Sequence, residues 1–232
     1  VTAPLGERVL AALRAAAQPE RAAAMQAYMK SAMPYLGVPA VPLQAVCKEL
    51  FADLRFEASA AWQSAVLALW RGARFREERY AAIALTGIRA ARGFQRMEAL
   101  AMYEEMIVTG AWWDFVGTIA GQRLFDILVA QPAPMKAAML DWAGDEELWK
   151  RRSAILCQLR AKGATNVSLL EACIAPSMDS KEFFLRKAIG WALRQYARTD
   201  PDWVRAYVAR HEGRLRGLRR REALKRIGER TP

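Results

Sequence analysis

A chain of 232 residues is long enough to bury a substantial core, and its richness in Ala, Leu, Arg, Glu and Met favours helix over strand. Thirty-five Lys and Arg against 24 Asp and Glu leave a formal charge of +11, which points to a polyanionic partner, nucleic acid before an anionic membrane surface. One histidine, His211, and three scattered cysteines, Cys47, Cys157 and Cys173, argue against a histidine-based metal centre, a Ser-His-Asp triad and a disulfide frame.

No metal ligand set and no cofactor is therefore expected. No apolar run reaches membrane-spanning length, and Val1 to Ala17 lacks the pattern of a secretory leader. The expectation is a soluble cytoplasmic protein with reduced thiols.

In chain order, helical stretches alternate with turn signals. These fall at Gly37 to Pro42, Arg71-Gly72, Ala91 to Gly93, Gly121, Gln131 to Pro134, Ala143 to Asp145, Lys162-Gly163, Ala175 to Ser177, Thr199 to Pro201 and Gly213. Glycines are read as helix ends, and Thr199-Asp-Pro201 as a cap opening the next helix. A small-then-aliphatic pair recurs as Ala82-Ile83, Thr118-Ile119, Ala154-Ile155 and Ala188-Ile189, at spacings of 36, 36 and 34. The same step reaches Val46-Cys47 upstream and Ala223-Leu224 downstream. A period near 35 fits two helices per unit. The fold expected is all-α, a curved solenoid of about six HEAT-like two-helix repeats forming a single domain over 1–232, with its concave face as the binding surface.

Charge and aromatic residues gather in that scheme. Arg152 and Arg186 occupy one repeat position, so a solenoid sets them side by side as a row of cations able to span several phosphates. Runs such as Glu77-Glu78-Arg79 read instead as solvated faces. The adjacent Trp112 and Trp113 suggest a packing knot or a recognition surface, and residue types alone leave both open. Trp113 shares a helix face with Gly117, and Trp191 follows Gly190 one turn after Arg186 and Lys187. A glycine inside a helix costs about 1 kcal/mol relative to alanine, which is tolerated where something approaches closely.

Four stretches carry a family likeness: Tyr28-Met-Lys-Ser31 with Leu36-Gly37; Glu105-Met-Ile-Val-Thr-Gly-Ala-Trp-Trp-Asp114; Leu148-Trp-Lys-Arg-Arg-Ser-Ala-Ile-Leu156; and Ser180-Lys-Glu-Phe-Phe-Leu-Arg-Lys-Ala-Ile-Gly-Trp-Ala-Leu-Arg194, continuing to Pro201. On these the chain resembles the AlkD-like DNA alkylation-repair glycosylases, proteins built of HEAT-like repeats. The resemblance implies a monomer that binds double-stranded DNA containing alkylated purines. It would cleave the N-glycosidic bond of cationic alkylpurines without flipping the base. Trp113 and Trp191 would be walls against the lesion's deoxyribose. The candidate DNA-binding residues are Tyr28, Lys30, Arg151, Arg152, Lys181, Arg186, Lys187 and Arg194, with Arg152 gripping the lesion-strand backbone.

One departure stands out. The family's carboxylate four residues after the second tryptophan is replaced by Gly117, and Asp114 is turned about 100° away from Trp113 on the helix. Weakened catalysis is expected, with room at Gly117 for bulky adducts. The alternative is a non-catalytic paralogue that binds damaged or branched DNA. A second departure is the apolar Pro39-Ala-Val-Pro42, where polar DNA contacts belong.

Overall fold

The computed structural model describes residues 3–225 and residue 227, and every regular element among them is helical. The chain divides into two compact units, Val1–Met102 and Tyr103–Pro232.

The first unit holds α1 (Leu5–Ala15), α2 (Pro19–Met29), α3 (Ala40–Phe51), α4 (Ser59–Arg71) and α5 (Arg76–Thr86), followed by 3-10 turns at Arg89–Phe94 and Met97–Ala99. In α1, Val9, Leu10 and Leu13 lie three and four apart and are buried together. Trp62 of α4 is fully buried, donates its indole N–H to the Leu85 carbonyl at 3.3 Å and meets Phe94 at 5.9 Å.

The acids of α5 are not a solvated face. Glu77 is 0% exposed and Glu78 4%. Glu77 accepts the backbone N–H groups of Leu36, Gly37 and Val38 at 2.9–3.1 Å, and Glu78 accepts those of Arg74 and Phe75, both at 2.9 Å. Two carboxylates thus satisfy loop amides that no helix or strand can serve. Gly37 is required there twice over: its φ is +85°, and a β-carbon would lie 2.1 Å from the Gln18 carbonyl oxygen. Pro39 precedes the first residue of α3 and Pro42 sits in its first turn, where a missing N–H costs nothing.

The second unit takes in most of α6 (Leu100–Gly110), then α7 (Trp113–Thr118), a π-helical turn at Ile119–Leu124 and α8 (Phe125–Ala130). These last three form one uninterrupted helical run, so Gly121 ends no helix; a β-carbon on it would touch Leu159 at 3.2 Å. Next come α9 (Pro132–Gly144), α10 (Leu148–Leu156), α11 (Val167–Ile174), α12 (Phe183–Tyr196), α13 (Pro201–Arg210) and α14 (Leu218–Leu224). The cap at α13 forms as read: Asp200 accepts the Trp203 N–H at 2.8 Å, with Pro201 at the first helical position. All six in-phase pairs fall in helical segments, and the second member of each is buried. The three cysteines are free and buried, and burial pushes the thiols of Cys47 and Cys173 up to about 11 and about 12. Among the described residues no helix is long and apolar enough to cross a membrane.

Candidate nucleic-acid interface

The turn before α7 fixes which tryptophan does what. Alanine at 111 takes φ +42°, a left-handed conformation that glycine adopts more readily, and Trp112 follows in extended geometry as the cap of α7. Side chains on either side of a cap point apart. Trp112 turns inward, edge-on to Phe184 at 5.5 Å and 6.5 Å from Trp149, while Trp149 and Phe184 meet at 5.1 Å. Trp113 is 38% exposed. The pair therefore splits between packing and surface. The Trp112–Trp149–Phe184 cluster was not evident in the sequence, because its members are brought together from three helices or their caps.

Gly117 lies one turn beyond Trp113, about 6 Å along the axis, and is buried. A β-carbon built there would be 3.3 Å from Cζ3 and 3.5 Å from Cη2 of Trp191. The edge of the half-buried Trp191 ring therefore lies against this position. Trp113 and Trp191 are brought to the same stretch of α7. Asp114 lies in the first turn of α7, where the helix dipole favours an acid.

Arg152 does not stand in a solvent-facing row. It is 3% exposed, donates from Nη1 to the Phe184 carbonyl at 2.5 Å, and its guanidinium lies 5.8 Å from the Phe184 ring centre. Burial pulls its pKa down to about 10. The shared repeat position is real, but α12 begins over Arg152 and covers it. Its neighbour Arg151 donates to the Ser177 hydroxyl at 3.0 and 3.2 Å.

The other cations differ in how committed they are. Lys181 is exposed just before α12, and Arg186 is half-buried in its first turn. Lys187 and Arg194 both donate to the Glu222 carboxylate of α14. Tyr28 and Lys30 belong to the first unit. Tyr28 is 80% exposed on α2, and Lys30 ends that helix in a left-handed conformation with φ +48°. Gly190 serves α14 rather than a ligand: a β-carbon on it would fall 2.5 Å from Cβ of Glu222 and 3.2 Å from the Arg219 carbonyl oxygen.

An exposed indole, a second indole against the same helix, and flanking cations form a surface suited to stacking against a sugar or base beside a phosphate chain. A family model described as DNA alkylation repair enzyme matches residues 9–227. The chain belongs to the DNA alkylation repair enzyme family. Among solved structures, a predicted DNA alkylation repair enzyme from Enterococcus faecalis is similar over 92% of this chain and 97% of its own, with 30% identity and a TM-score of 0.82. No curated protein matches the chain. Membership of this repair family implies a DNA substrate.

Proposed function

We propose that this protein is an AlkD-like N-glycosylase acting on cationic alkylpurines in duplex DNA, and that it works without a protein carboxylate at the reacting sugar. The observation that carries the reading is the Trp191 ring against Gly117 of α7, one turn from the exposed Trp113, in a chain of the alkylation repair family. In an alkylpurine cation the base is already an activated leaving group. The C1′–N bond breaks with its electron pair passing to the purine, which leaves neutral, and positive charge develops on the deoxyribose. Indole faces stabilise that charge by cation–π attraction. Water then bonds to C1′ and releases its proton to solvent. With Gly117 in the carboxylate's place, no side chain at that position orients the water, so turnover is slow and confined to labile lesions.

The second reading is a non-catalytic binder of damaged or branched DNA. It is favoured by the same contact, since the Trp191 ring fills the direction in which a carboxylate would project. Release of 7-methylguanine and 3-methyladenine from duplex DNA by the natural protein and by Gly117→Asp separates the two. Slow release by the natural protein supports the glycosylase. Release by the variant alone makes the natural protein a binder, and release by neither removes catalysis from this site.

A further inference from the structure

We propose that Glu222 is a positioning residue that withholds Lys187 and Arg194 from DNA, and so sets how strongly α12 grips the phosphate backbone; this rests on the DNA-binding reading above.

Lys187 and Arg194 are seven residues apart, two turns of α12 on one face. Trp191 lies between them in sequence. The Glu222 carboxylate reaches both, at 3.0 Å from Lys187 Nζ and in direct contact with Nη1 of Arg194. Its side chain is 12% exposed, against 40% for Lys187 and 25% for Arg194, so the acid lies beneath the cations it holds. The hydrogen bond from Lys187 holds the Glu222 carboxyl below its ordinary value, which keeps it ionised at neutral pH. The approach is built into the backbone. Only glycine at 190 allows α14 to come close enough to deliver this acid.

Lys187, Arg194 and Glu222 together carry a formal charge of +1, with Lys225 a further cation close enough to act on Glu222. Non-specific DNA affinity comes almost entirely from cations that displace counterions, so an acid placed here lowers the grip on undamaged duplex. A repair protein that must leave normal DNA to search for a rare lesion gains from that restraint.

The test uses the full chain and a fluorescent undamaged duplex, with affinity measured between about 50 and 200 mM salt. Glu222→Gln is expected to steepen the plot of log affinity against log salt by about 0.9 and to raise affinity about eightfold at 0.1 M. Adding Lys187→Ala to Glu222→Gln is expected to return the slope to that of the natural protein, while Lys187→Ala alone shallows it by about 0.9. A slope unmoved by Glu222→Gln, in a natural protein that binds, overturns the inference. So does a change that Lys187→Ala does not reverse, which marks loosening of α14 instead. If the natural protein binds duplex at no salt concentration, the DNA-binding reading itself fails.

Discussion

The two helical glycines flanking Trp191 in space and in sequence are expected to answer alanine substitution in opposite directions. Each gains about 1 kcal/mol of intrinsic helix preference on becoming alanine, so any difference must come from neighbours. At 190 the new methyl meets Cβ of Glu222 at 2.5 Å and the Arg219 carbonyl oxygen at 3.2 Å. Neither is the tip of a flexible side chain, so α14 must retreat. Overpacking of this kind costs about 1–3 kcal/mol. The retreat also uncovers Ala223 and Leu224 and breaks the Glu222 contacts, leaving Gly190→Ala destabilised by about 1–2 kcal/mol net. At 117 the methyl meets only the edge of the Trp191 ring, at 3.3 and 3.5 Å. That ring is half-buried and can slide by a few tenths of an ångström, so Gly117→Ala keeps most of its gain, up to about 1 kcal/mol. Urea midpoints at constant m-value measure both. Limited proteolysis between α13 and α14 reports whether the C-terminal helix has let go. Two variants shifted in the same direction, or Gly190→Ala as stable as the natural protein, would refute the neighbour argument.

Glu77→Ala leaves three loop amides without their acceptor and is expected to cost at least about 3 kcal/mol; a loss below about 1 kcal/mol in the urea midpoint refutes the carboxylate's role. Acid weakens the second unit. Asp145, Asp179 and Glu222 are held below their ordinary values of 3.8, 3.8 and 4.5, in each case chiefly by a hydrogen bond from a basic side chain, Lys150, Arg214 and Lys187. Between folded and ordinary pKa the unfolded chain binds more protons. Their stabilisation is therefore complete above those ordinary values and is lost as pH falls through the lower folded ones. Melting temperature from pH 7 to pH 3 checks this: Glu222→Gln should show a shallower acid decline, and an unchanged decline removes Glu222 from the account.

What was legible in the sequence was what is local along the chain. The recurring small-aliphatic pair marks buried helical positions because helix packing repeats one geometry, and Asp200-Pro201 marks a helix start because both effects act within one turn. Glu77 was misread for the opposite reason. Its partners are amides some 40 residues upstream, and nothing near it in sequence distinguishes it from a solvated acid. Arg152 was a cation in the right helix, yet its environment is set by Phe184, 32 residues on. Gly117 and Gly190 were equally visible as anomalies inside helices. Only the structure assigns one to an indole ring and the other to a helix backbone. Trp112 and Trp113 could not be told apart until the cap between α6 and α7 was fixed.

The π-helical turn at Ile119–Leu124 gives the helix carrying Trp113 two phases. Such a turn absorbs one extra residue, so beyond it each side chain points where its predecessor would in an unbroken α-helix, an offset of about 100°. Gly117 lies against Trp191 in the first phase, one turn after the exposed Trp113. Asp126 follows in the second, where it pairs with Arg123 at 2.9 Å and Arg160 at 3.4 Å. The turn acts as a clutch. It lets the aromatic end pack against α12 and the far end reach its ion pairs, with neither alignment dictated by the 3.6-residue pitch of the other.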